Sequence, residues 1–180
     1  PGAVSTLIAL LSSNDGNCQL LAAEALANLS SSNGFEHRLV HEGVIPPMVS
    51  LLGFAGSQVF AAFTLANILA ASDDNLAIAV VNSQAVPRIV LLLSSPDLRR
   101  QRGASCALFN LSAAEEQDGF GQLLLNQGVL EVLLDTGMLK HHDSECKENA
   151  AGIIGNLAAT TRFRDQMEDS GRMAALGGLF

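Results

Sequence analysis

Two groupings in the sequence carry residue types that bind metals. His37 and His41 stand four apart, a spacing that puts two imidazoles on one face of a helix, where they could share an ion. No third ligand accompanies them, and two polar residues side by side on an exposed helix is the competing reading. His141, His142, Asp143, Glu145 and Cys146 also offer ligand atoms, but without paired ligand spacing. Asp143 or Ser144 as the N-cap of a following helix accounts for that run. A phosphate cradle needs a Gly-rich loop after a strand, and Gly119 with Gly121 supplies neither the remaining glycines nor the strand. No Ser or Cys sits in a nucleophile elbow, and Cys18 and Cys106 fall in helical segments where a small buried residue is expected. Asn28-Leu29-Ser30 and Asn110-Leu111-Ser112 match the glycosylation acceptor pattern but lie inside a helical repeat. No catalytic residue, metal site or cofactor is therefore expected.

The residue that recurs with useful chemistry is asparagine. Ala22–Ser30 (AAEALANLS), Ala61–Leu69 (AAFTLANIL), Ala104–Ser112 (ASCALFNLS) and Ala150–Ala158 (AAGIIGNLA) share one pattern ending in Asn plus an aliphatic residue. The anchors Asn28, Asn67, Asn110 and Asn156 are 39, 43 and 46 residues apart, in or beside the period of about 40–47 residues typical of helical solenoids. A second landmark keeps phase with them: GAVSTLIALL from Gly2, GVIPPMVSLL from Gly43, QAVPRIVLLL from Gln84, GVLEVLLD from Gly128 and GRMAAL from Gly171. Gly43 can end one helix in the left-handed region, and Pro46 and Pro47 suit the first turn of the next, where no backbone donor is needed. Ser95–Pro96 is expected to make a similar corner, with Ser95 as N-cap. Each unit reads as a short helix, a second helix and a longer third one.

A wheel at about 100° per residue separates the faces of that third helix. Ala22, Ala61, Ala104 and Ala150, with Leu26, Leu65, Leu108 and Ile154 and with Leu29, Ile68, Leu111 and Leu157, form one stripe, which predicts the core. The asparagines lie on a separate ridge with Glu24, Phe63, Cys106 and Gly152 four residues earlier, and Leu20, Val59, Arg102 and Glu148 eight earlier. Core positions repeat while ridge positions vary, as expected of a scaffold that stacks by a common rule and selects partners on one face. Asn is a poor helix-interior residue, so its amide, with two donors and an acceptor, needs a use.

These motifs resemble the armadillo-repeat family, over nearly the whole chain. They are most similar to the generic modules of plant-type U-box ubiquitin ligases and vacuolar-type scaffolds. The resemblance implies an all-α fold, a right-handed α-solenoid of about four three-helix repeats. The units fall at about 1–33, 34–71, 72–114 and 115–160, with a partial unit at about 161–180. It also implies that Asn28, Asn67, Asn110 and Asn156 line a concave groove and bond the backbone of an extended peptide, with Glu24, Phe63, Arg102 and Glu148 beside them. The alternative is that each Asn bonds a neighbouring helix and sets repeat geometry. Importin-alpha-like receptors pair the Asn with a tryptophan four residues earlier. This chain has no Trp, and Phe63 is the one aromatic in that slot, which disfavours nuclear import.

Composition narrows the partners. Ten Lys plus Arg against eighteen Asp plus Glu give a net charge of −8, which repels a phosphate backbone and argues against nucleic acid. Hydrophobic residues are 48% and charged residues only 16%, so much of the chain must be buried. No stretch approaches the roughly 20 apolar residues of a membrane span. Three widely spaced cysteines suit a reducing compartment, so a cytoplasmic or nuclear location is expected. The expected function is a non-catalytic scaffold that binds a protein or peptide segment. Alternatives are the recognition region of a larger enzyme such as a ubiquitin ligase, or a purely architectural spacer. Both ends are expected to show a stacking face, with self-association as a consequence.

Overall fold

The computed structural model describes residues 2–32, 34–114, 117–160 and 163, and every regular element among them is helical. The helices are α1 (Ala3–Leu10), α2 (Gly16–Ser30), α3 (Phe35–His41), α4 (Ile45–Leu51), α5 (Gln58–Ala70), α6 (Asp74–Asn82), α7 (Ala85–Leu92), α8 (Leu98–Ser112), α9 (Gln117–Asn126), α10 (Val129–Asp135) and α11 (Ser144–Ala158). A short 3-10 turn, Met138–Lys140, precedes α11. The short-second-long rhythm is that of an α-solenoid: α2, α5, α8 and α11 are the long helices, and each packs on the next in chain order.

Three of the four long helices, α2, α8 and α11, start where a carboxylate can take their unpaired amides, whereas α5 follows Ser57 without a side-chain cap bond. Asp15 accepts from Asn17 N at 2.8 Å, Asp97 from Arg99 N at 2.9 Å and Asp143 from Cys146 N at 3.1 Å. Asp73 caps α6 in the same way, accepting from Asn75 N at 2.8 Å. The expectation for Ser95 is corrected here. Its Oγ accepts from Asp97 N at 3.2 Å, and Asp97, one residue before α8, is the cap. Pro96 lies between them in the loop and not in the first helical turn.

The corner between first and second helices needs a left-handed residue. Gly43 (φ 86°), Gln84 (φ 62°) and Gly128 (φ 72°) occupy it in three successive units. Pro46 and Pro47 follow in the first turn of α4, as the sequence predicts. Gln84 departs from glycine at a backbone position that costs an L-residue about 1–2 kcal/mol.

The predicted stripe is the core. Ala61, Ala104 and Ala150 are fully buried and Ala22 nearly so, along with Leu26, Leu65, Leu108, Ile68, Leu111 and Leu157. Each large side chain removed from water contributes about 1.5–3 kcal/mol. Two stripe residues differ. Leu29, on the first long helix of the stack, and Ile154 are only half-buried, and in α11 the adjacent Ile153 takes the fully buried place. Cys18 also departs from expectation. It lies in the first turn of α2 and is exposed, while Cys106 is half-buried and Cys146 fully buried. Gly103 marks the tightest approach of α8 to α5: a Cβ there would sit 2.9 Å from Ala62 Cβ. Gly121, which belongs to no phosphate loop, packs inside α9 against Thr160.

Gln84→Gly relieves the left-handed strain without removing a side chain the core uses, since Gln84 is exposed. We expect it to raise stability by about 1 kcal/mol and the melting temperature by about 2–4 °C, read by calorimetry. A lowered melting point would show that the corner is not strained.

Candidate functional site

Stacking brings the ridge asparagines of three long helices against the preceding long helix. Asn67 Nδ2 donates to Ser30 Oγ at 3.0 Å, Asn110 Nδ2 to the Ala66 carbonyl at 3.0 Å, and Asn156 Nδ2 to Ser112 Oγ at 3.0 Å. Every rung runs from one long helix back to the previous one, so three amides tie α2, α5, α8 and α11 in series. Ser30 and Ser112 in turn donate to the carbonyls of Ala27 and Phe109. These serines close the two Asn-Leu-Ser triplets. Where the second unit has Leu69 in the serine's place, the next amide, Asn110, uses a backbone carbonyl instead. Asn28 is exposed and its side-chain amide has no partner among the described residues.

The asparagines therefore have a structural task, and it leaves part of each amide over. For Asn67 and Asn110 the carbonyl oxygen Oδ1 has no partner among the described residues, and both side chains are half-exposed. A second tie runs parallel to the ladder: Asn149 Nδ2 donates to Ser105 Oγ at 3.2 Å across the α8–α11 contact.

The other expected ridge residues separate into two groups. Glu24 and Glu148 are exposed and Phe63 is half-buried. Arg102 is engaged. Its Nε donates to Asp143 Oδ1 at 3.1 Å and Oδ2 at 3.2 Å, its Nη2 also donates to Oδ2, and Glu145 Oε2 lies 3.4 Å from its Nε. The Asp143 side chain is only 9% exposed. The Arg102 bonds, and then the Cys146 amide, hold its carboxyl well below the usual carboxylate range. Gly152, four before Asn156, makes room for a neighbour: a Cβ there would lie 2.5 Å from Phe109 Cε2. The aromatic ring of the third unit thus lies against the empty slot of the fourth.

The metal-type groupings are spent on structure. His37 and His41 are both exposed, and His37 Nε2 pairs with Asp73 Oδ2 at 2.8 Å. That bond, ahead of the Asn75 amide, lowers the Asp73 carboxyl. Ligand atoms of His141, Asp143 and Cys146 do fall within 4.8 Å of one another. However, His141 Nδ1 accepts from Asp143 N at 3.1 Å, and the Asp143 carboxylate serves Cys146 N and Arg102. Burial, then the bond to Asp143, pushes the Cys146 thiol up to about 11. Burial raises the Cys106 thiol, and a bond to Asp15 raises that of Cys18. None of the three is a poised nucleophile.

Sequence reasoning missed the acceptors of the ladder and the cross-unit partners of His37 and Arg102. The serine two after the anchor recurs in two units, and that recurrence was the available signal. Long-range partners such as Asp143 for Arg102 leave no local trace.

The armadillo/beta-catenin-like repeat model matches residues 73–113. Vacuolar protein 8 of Schizosaccharomyces pombe is 32% identical over 160 residues, 87% of this chain but 28% of that protein. Human plakophilin-3 is 32% identical over 84 residues, 47% of this chain and 10% of its own length. The chain thus spans only a minor part of these relatives. Among solved structures, a computationally designed armadillo repeat protein for modular peptide recognition superposes with TM-score 0.87 at 27% identity, covering 98% of this chain and 74% of that one. A designed armadillo repeat protein in complex with the peptide (KR)4 gives TM-score 0.84 at 26% identity, with the same coverages. Among the described residues no single helix is long and apolar enough to cross a membrane. The pair α6 and α7 is apolar in combination but bends by 85° between its halves.

Two measurements test this site. In a double-mutant cycle, Asn67→Ala and Ser30→Ala should couple by about 0.5–1.5 kcal/mol in urea unfolding, and additive effects would mean the rung is not formed. The second uses pH. A carboxyl depressed in the folded state stabilises above its unfolded value and loses that contribution as pH falls toward the folded value. The urea midpoint should therefore drop between about pH 4 and pH 2, and drop less in Arg102→Gln, where most of the depression is gone. Equal acid sensitivity in both proteins would contradict the pairing.

Proposed function

Because the chain belongs to the armadillo-repeat family, we propose that it is a non-catalytic protein-binding scaffold whose ridge of long helices holds an extended segment of a partner. On this reading the repeat units fall at about 1–33, 34–71, 72–114 and 115–160, and the partial unit expected at about 161–180 lies outside the described residues apart from Phe163. The observation that carries the proposal is the ladder. Three amides are locked in one line by bonds to the preceding helix, and the Oδ1 atoms of Asn67 and Asn110 are left over. An amide already fixed by one bond has lost its rotamer freedom and can meet a peptide backbone without a further ordering cost. Backbone bonding of this kind supplies affinity with little sequence preference, and varied neighbours such as Glu24, Phe63 and Glu148 supply the choice. The designed protein in complex with the peptide (KR)4 supports a peptide as the occupant. Glu24 and Glu148 suit basic residues in that peptide, whereas Arg102 is neutralised by Asp143 and Glu145 and repels them little.

Self-association remains part of the proposal, with Leu21, 63% exposed on α2, as a candidate contact. The expected face at 161–180 lies outside the described residues apart from Phe163.

The test is a displayed library of unstructured peptides panned against the chain. Selected peptides should bind Asn67→Ala/Asn110→Ala at least about tenfold more weakly, a loss of about 1.4 kcal/mol. Ser30→Ala breaks a rung while keeping the amide, so it should weaken their affinity by the ordering cost of one side chain, about 0.5–1.5 kcal/mol, and only for peptides that need Asn67. Peptides indifferent to both variants would place the binding surface elsewhere.

A further inference from the structure

Charge is unevenly spread along this acidic chain. Gly43–Ser72 contains no charged residue, and Gln84–Ser112 contains Arg88, Arg99, Arg100 and Arg102 against Asp97. Arg102 is spent on Asp143 and Glu145. Two of the others grip the exposed Gly53–Gly56 loop between α4 and α5. Arg88 Nη1 donates to the Val49 carbonyl at 3.3 Å and would lie 3.5 Å from a Cβ at Gly53, and Arg100 Nη2 donates to the Ala55 carbonyl at 2.9 Å. The loop is also tied to its own unit. Ser57 Oγ lies 3.3 Å from the carbonyls of Leu51 and Phe54, and Gln58 Nε2 donates to the Leu52 carbonyl at 2.8 Å. Carbonyls are neutral, so these bonds fix the arginines without cancelling their charge. Arg100 Nε lies 3.6 Å from Asp97 Oδ2, whereas Arg88 and Arg99 have no ion-pair partner among the described residues.

That loop presents an aromatic side chain to water. Phe54 is 59% exposed, and Leu91, three residues beyond Arg88 on the same side of α7, is 74% exposed. Stacking requires neither. Counted from the corner residues Gly2, Gly43, Gln84 and Gly128, Leu91 stands where the other units have Ala9, Ser50 and Asp135, and Phe54 where the first and third units have Ser13 and Ser95. Leaving two large apolar groups in water is unfavourable, and small or polar residues in the same places avoid it. Aromatic side chains beside arginine are what the centres of binding surfaces are enriched in. Because the loop is bonded from both sides, little freedom is left to lose when the ring is covered.

We propose that Phe54 and Leu91, with Arg88 between them, form a second docking surface, for a segment of another protein that carries Leu or Phe flanked by Asp and Glu. Charge complementarity decides the occupant. The apolar side chains of such a segment cover Phe54 and Leu91, and its carboxylates meet Arg88 and, at the rim, Arg99. An anionic membrane offers the same two chemistries, but a chain of net charge −8 is repelled by it, and two unpaired arginines fall short of the roughly 4–8 basic residues that such a surface takes. The surface comes from the α4–α5 loop and the second helix α7, not from the asparagine ladder, so it does not rest on the groove reading. Its preference is also opposite in sign: Glu24 and Glu148 on the ridge suit a basic segment, and Arg88 suits an acidic one. Two different partners can therefore be held at once.

The experiment pans a displayed library of unstructured peptides against the 180-residue chain and discards those that also bind Leu91→Asp. The peptides that remain should carry Asp or Glu on both sides of Leu or Phe. By fluorescence anisotropy they should bind Leu91→Asp and Phe54→Ser at least about tenfold more weakly than the parent, and their affinity for the parent should fall as salt rises. Both substitutions copy a residue that another unit carries in the same place, so thermal melts by circular dichroism should match the parent. Arg88→Gln keeps both apolar groups and is the second variant. It should weaken binding at least about fivefold and flatten the salt dependence. Asn67→Ala/Asn110→Ala should leave these peptides unaffected, and a loss of affinity there would merge this surface with the ridge and overturn it as a second site. An empty pool after subtraction, a pool without carboxylates, or an affinity unchanged in Arg88→Gln would also overturn the proposal. So would either reassignment of the face: a dimer in sedimentation that Phe54→Ser abolishes would give it to a second copy, and flotation with phosphatidylserine vesicles that Phe54→Ser abolishes would give it to a membrane.

Discussion

Close approach of the long helices is the constraint on which the rest depends. Ala61, Ala104 and Ala150 are fully buried between neighbours, and α8 comes near enough to α5 that only glycine fits at position 103. A larger side chain at any of these points would push the backbones apart. At the separation they allow, an Asn side chain reaches the previous helix with a 3.0 Å bond. The small-residue stripe thus sets the reach of the amides, and the amides in turn hold the alignment the stripe permits. In a one-dimensional array each interface is made only with the next unit, so such repeated local ties carry the shape of the whole.

A second set of ties works at the helix starts. Asp73 and Asp143 each cap a helix of their own unit and are also gripped by a side chain of the previous one, His37 and Arg102 respectively. A cap alone satisfies amides that would otherwise be unpaired. Gripped from the neighbouring unit, the same carboxylate also sets where the next helix begins relative to the last. Asp15 and Asp97 cap without such a cross-unit partner among the described residues: Asp97 meets Arg100 of its own helix and Asp15 meets Cys18. The α8–α11 contact has the most such ties, combining the Arg102 pair, the Asn149–Ser105 bond and the Asn156–Ser112 rung.

These arrangements divide the polar groups by use. Arg102, Asp143, His141 and His37 look available in a linear reading, and the fold spends them on stacking and capping. On the ridge, Glu24, Glu148 and the Oδ1 atoms of two ladder amides are left toward solvent. The chain carries a net charge of −8, and its three thiols are all held above the ordinary thiol range.

Much of the architecture was legible in the chain itself, because it depends on interactions between near neighbours. The phase of the Asn anchors, the apolar stripe, the glycine corner and the Asp143 cap are all set within one or two helical turns, where spacing maps directly onto geometry. The misplaced cap at Ser95 and the swap of Ile153 for Ile154 are errors of one or two residues of the same local kind. What only the tertiary structure decided was where each polar side chain is spent. The bonds Asn67 to Ser30, Arg102 to Asp143 and His37 to Asp73 span 37, 41 and 36 residues. Periodicity shows which residues share a face, but a rung forms only when two faces have been brought to a particular separation and rotation. The packing of Ala and Gly against Ala sets both, and it is a property of the assembled stack.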